Sequence, residues 1–101
     1  MQRKADCVVA ELNYCNRGSP YGDAVKGLLK YARPRAHRLV VISRCASTEV
    51  ALADLRILAG ENIEFPLRYY QDLPIDEVIK REGCSQYEVK SFEEILKLVA
   101  P

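Results

Sequence analysis

His37-Arg38-Leu39-Val40-Val41-Ile42-Ser43 is the stretch that decides the fold. Leu39 to Ile42 is an unbroken apolar run, and three of its four residues are β-branched. A strand needs apolar side chains at every position only when both of its faces are covered, so the run predicts a central strand of a parallel sheet. On its N-terminal side lies a helical pattern from Tyr21 to Ala32. Val25, Leu28, Leu29 and Ala32 fall on one stripe of such a helix, and Lys26, Lys30 and Arg33 fall on another. Ser19 is placed to cap this helix, and Pro20 suits its first position. Pro34 ends it, because proline has no N–H to donate and its ring clashes with the preceding turn.

Farther out, Asp6 to Tyr14 reads as a first strand whose early part is again continuously apolar. Towards the C-terminus, Ser47 caps a second helix that carries Leu52, Leu55, Leu58 and Ala59 and stops at Gly60. Ile63 to Tyr70 is a third strand, and Pro66 within it calls for an edge position. A helix over Ile75 to Glu82 follows Pro74 and stops at Gly83. Ser85 to Lys90 is a fourth strand. Ser91-Phe92-Glu93-Glu94 is a capping box that opens a last helix through Ile95, Leu96 and Val99. The expected fold is α/β, a three-layer α/β/α sandwich of four mostly parallel strands alternating with four helices in one domain.

The chain has 101 residues, enough for one domain and too few for two. No apolar run reaches the roughly 20 residues that cross a bilayer, and the start, Met1 to Asp6, is not a signal peptide, so the expected location is the cytoplasm. The scarcity of Asn and Gln and the absence of Trp suggest a thermophile. Cys7, Cys15, Cys45 and Cys84 form no C-x-x-C pair and there is one histidine, so no metal site is expected, and no cofactor motif occurs. The thiols read as buried hydrophobes, with one disulfide as the alternative. Catalysis has little to stand on: His37 sits among arginines, and the carboxylate pairs Asp76-Glu77 and Glu93-Glu94 lie in the first turns of helices, where the dipole explains them.

Charge is divided unevenly. Residues 1–44 hold nine lysines and arginines against three acids, a net +6, whereas residues 45–101 hold six against eleven, a net −5. Either one face is made for an anionic partner, or the acidic half folds back and neutralises the basic one. Nucleic acid needs clustered cations for its phosphates and some aromatic or polar groups for its bases. Arg17, Ser19 and Tyr21 in the first strand–helix loop, with Lys26, Lys30, Arg33 and Arg35 along and beyond the helix, supply both. The same loop, residues 16–22, could instead hold a phosphorylated small molecule in an enzyme or sensor, and the acidic half could dock a protein partner.

Tyr21-Gly22-Asp23-Ala24-Val25-Lys26, Arg38 to Ser43, Leu55-Arg56-Ile57-Leu58 with Asn62 to Pro66, and Ile75 to Gly83 follow one another in an order that resembles the kink-turn-binding ribosomal protein superfamily. That superfamily also includes the C-terminal domain of peptide-chain release factors and their Pelota relatives. The Tyr-Gly opening and the Leu39 to Ser43 strand are nearer the release-factor branch. Of the Gly-x-Asn-Glu-x-x-Lys segment of the kink-turn branch, Lys26 is matched, while Gly22 and Asp23 stand at the Asn and Glu positions. The resemblance implies an α/β/α sandwich that binds structured RNA, ribosomal or within another ribonucleoprotein.

Overall fold

The computed structural model describes residues 3–13, 21–44 and 65–99. Its elements are β1 (Cys7–Leu12), α1 (Tyr21–Ala32), β2 (Leu39–Ser43), β3 (Leu67–Gln71), α2 (Ile75–Glu82), β4 (Tyr87–Ser91) and α3 (Phe92–Val99). The four strands form one sheet in the order β3-β2-β1-β4, and every pairing is parallel. The fold is therefore α/β, as its sequence pattern requires. The second helix expected after Ser47, and with it Cys45, lies outside the described residues, as does Cys15.

The two apolar runs became the two inner strands. All five residues of β2 are buried, and so are all but Glu11 of β1. Because side chains alternate along a strand, each run supplies two cores. Val8, Ala10, Leu12, Leu39 and Val41 pack with Leu28, Leu29, Tyr31 and Ala32 of α1 and with Phe92 and Ile95 of α3. Cys7, Val9, Val40 and Ile42 pack with Val78 of α2 and with Cys84, bordered by Tyr70, Ile75 and Ile79. The described helices thus cover both faces, α1 and α3 on one and α2 on the other. Contact between α1 and α3 is close at Gly27, where an added Cβ would stand 3.0 Å from Leu96 Cδ2 and 3.4 Å from Val99 Cγ2.

Helix ends follow the local signals. Gly83 takes the left-handed conformation at φ 67° that stops α2, as glycine readily does. Ser91 Oγ accepts the Glu94 N–H at 3.2 Å, the first half of the expected capping box. β3 is an edge strand, and it starts one residue after Pro66, whose carbonyl accepts from Leu39. β4 begins at Tyr87 and not at Ser85, for a reason outside its own sequence. The Asp6 carboxylate takes the backbone N–H groups of Ser85 and Gln86 at 2.8 and 3.0 Å and the Ser85 hydroxyl at 2.9 Å.

These bonds, led by the one from Gln86, hold the Asp6 carboxyl below its ordinary value of 3.8. A folded value below the unfolded one stabilises the fold above the unfolded pKa and loses that contribution as pH falls through the folded value. Asp6→Asn is accordingly expected to be less stable than the parent at pH 7, with the difference shrinking as pH drops from about 4 towards 2. Urea melts across that range measure it; a constant difference would contradict the linkage.

Candidate nucleic-acid interface

After Ala32 the chain leaves α1 through a tight turn in which the Arg35 and Ala36 N–H groups both bond the Ala32 carbonyl. Ala36 then pairs with Ala5 in parallel: Ala5 N–H donates to the Arg35 carbonyl at 2.9 Å, and His37 N–H donates to the Ala5 carbonyl at 3.1 Å. That pairing lays the segment holding Arg3 and Lys4 beside the segment holding Arg33 and Arg35. All four are exposed, as are His37, Lys26 and Lys30. A cationic ridge results, running along α1 and onto the amino-terminal edge of the sheet. Lys26 and Lys30 are one helical turn apart, about 6 Å along the axis.

Arg35 is held in place. Its Nη1 donates to the Tyr31 carbonyl at 2.9 Å, and its guanidinium lies 4.0 Å from the centroid of the Tyr31 ring. Tyr31 is buried against the core and donates its hydroxyl to Glu88, which also lies 3.8 Å from Lys90 Nζ. Burial, then the bond to Glu88, pushes the Tyr31 phenol up to about 12, so it stays a protonated donor at neutral pH.

The positive charge of the N-terminal half is not all outward. Arg38 pairs with Glu82 at 3.2 Å, and Arg44 lies between Glu11 at 3.6 Å and Asp72 at 3.4 Å. Two of those acids, Glu82 and Asp72, belong to the acidic half, so the halves do neutralise one another at these points. Among the described residues, Lys26, Lys30 and Arg35 enter no ion pair. The acid-free stretch around the second strand is thus divided. Arg38 and Arg44 pair with acids across the fold, while Lys26, Lys30, Arg33 and Arg35 are exposed.

Of the expected site residues, the structure brings together Lys26, Lys30, Arg33 and Arg35. Tyr21 is the first residue of α1, but its side chain, and Arg17 and Ser19 entirely, lie outside the described residues. So does most of the 16–22 loop, the alternative small-molecule site. Between the carboxyl ends of β1 and β4 the strand order turns back, a place where ligands of open α/β sheets collect. Sequence reading missed Arg3 and Lys4; the signal was their charge, but only the Ala5–Ala36 pairing carries them to the ridge.

Among the described residues, no group of three or more His, Cys, Asp or Glu is arranged to hold a metal ion, and no helix is long and apolar enough to cross a membrane. No protein-family model, curated protein or solved structure matches the chain.

Proposed function

We propose that this protein is a non-enzymatic RNA-binding protein, of the kind that sits in a ribosome or another ribonucleoprotein. The ridge of Lys26, Lys30, Arg33 and Arg35, extended by Arg3 and Lys4, is its phosphate-binding face. One observation carries the reading: among the described residues, Lys26 and Lys30 are exposed on α1 with no carboxylate in ion-pair reach. An anionic polymer gains counterion release at each one. Arg17, Ser19 and Tyr21 precede this face in the chain and are proposed to extend it, Tyr21 by stacking on or hydrogen bonding to a base.

The test is a fluorescence-anisotropy titration against a structured RNA at several salt concentrations. With about four phosphate contacts, log affinity should fall against log salt with a slope near −3. The charge-reversed variant K26E/K30E should bind at least about tenfold more weakly at low salt, with a slope smaller in magnitude by about 1.4. No binding by the parent, or equal binding by the variant, would overturn the reading.

A further inference from the structure

Cys7 and Cys84 are 77 positions apart in sequence, yet their Sγ atoms stand 2.6 Å apart in the core between the sheet and α2. Cys7 opens β1 and is fully buried, whereas Cys84 keeps a small exposure of 8%. The left-handed turn at Gly83 directs the chain to Cys84, whose N–H returns to the Ile79 carbonyl. Arg38 closes the site: its Nη2 donates to Cys84 Sγ at 3.0 Å and to the Glu82 carbonyl at 2.6 Å. Both thiols are free in the structure.

We propose that Cys7 and Cys84 are a redox-active dithiol, opened and closed by exchange with low-molecular-weight disulfides and thiols, with Cys84 as the attacking sulfur and Cys7 as the resolving one.

The hydrogen bonds assign these roles. A guanidinium can only donate, so Cys84 Sγ is the acceptor from Arg38. Cys7 can then direct its S–H onto the same sulfur, so that Cys84 Sγ receives two hydrogen bonds while Cys7 donates one. Burial, followed by its bond to Cys84, pushes the Cys7 thiol up to about 12, so Cys7 keeps its proton until the second step. Exposure agrees, since Cys84 is the less completely buried of the two residues.

Closure balances as follows. The Cys84 thiol gives its proton to solvent, and the resulting thiolate attacks one sulfur of an external disulfide such as oxidised glutathione, forms a mixed disulfide and expels the first thiolate, which takes up a proton. Cys7 then loses its proton to solvent and attacks Cys84 Sγ. The Cys7–Cys84 bond forms, and the second small thiolate leaves and is protonated. The protein loses two hydrogens and two electrons, and one external disulfide becomes two thiols.

The test uses the full chain with Cys15 and Cys45 replaced by serine, equilibrated in reduced and oxidised glutathione. Oxidation should lower the intact mass by about 2 Da, protect both sulfurs from alkylation in denaturant after an acid quench and give a linked Cys7–Cys84 peptide. Reduced glutathione should restore both thiols without denaturant. In the same background Cys7→Ser should accumulate a glutathione adduct on Cys84, while Cys84→Ser should leave Cys7 unmodified. Thiols that stay alkylatable in oxidised glutathione, an adduct that gathers on Cys7, or a disulfide that opens only after unfolding would each overturn the proposal. The trapping of the unsubstituted pair decides the matter even where a serine variant fails to fold.

Discussion

Replacing Arg38 by leucine is expected to lower the melting temperature by roughly 10 to 20 °C, the equivalent of about 2–4 kcal/mol in a domain of this size. The loss comes chiefly from what Arg38 leaves behind. The Glu82 side chain is only 8% exposed, and Arg38 is the cation nearest to it at 3.2 Å. That nitrogen pairs with Glu82 by charge, without its N–H being aimed along a hydrogen bond. Without Arg38, Glu82 retains the Tyr70 hydroxyl and the exposed Arg68 at 4.0 Å. The Glu82 carbonyl and Cys84 Sγ also lose the donor they share. A charge kept out of water with too few partners is among the more costly defects a small domain can carry. Two controls separate this from a general charge effect. Arg68→Ala should cost less than about 1 kcal/mol, because Arg68 is exposed. The double variant Arg38→Leu/Glu82→Leu should recover at least about half of the loss, because both members of the pair are then apolar. Thermal melts followed by circular dichroism measure all three. A single variant as stable as the parent would contradict the assigned role of Arg38.

Gly27→Leu should destabilise the protein by about 2–3 kcal/mol, as overpacking of a well-filled contact does. At this position α1 comes close to α3: the first added carbon already meets Leu96 Cδ2 at 3.0 Å. The three further carbons of leucine find Leu96 and Val99 in their way, next to Ile95, which is fully buried. Relief requires α3 to move from α1. Gly27→Ala is the informative companion. It gains close to 1 kcal/mol of helix propensity and meets only side-chain ends, which can shift by a few tenths of an ångström. Alanine is therefore expected to fall within about 1 kcal/mol of the parent in a denaturant melt, and leucine well below it. Equal stability of the two variants would mean that the helices do not meet there.

Legibility of the fold in the sequence follows the range of the forces. β2 could be read because double burial leaves its mark on every residue from Leu39 to Ile42. α2 could be read because its stop, Gly83, acts through its own backbone. The register of β4 could not, since its start is displaced by Asp6, 79 positions from Ser85. The ridge shows the same division. The helical spacing of Lys26 and Lys30 announced a common face, which a 3.6-residue period fixes locally. No local signal gave Arg38 and Arg44 their partners: only the fold brings Glu82 and Asp72 to them. The Cys7–Cys84 neighbourhood is likewise a product of topology, because β1 and the end of α2 meet only once the sheet has formed.

Amide chemical-shift mapping during a titration with structured RNA at low salt locates the binding face directly. Perturbations grouped on Arg3, Lys4 and residues 26–37, growing with added RNA and reversed by salt, are the predicted result. Perturbations centred on α2, or a spectrum that RNA leaves unchanged, would contradict the assignment of the cationic ridge to RNA.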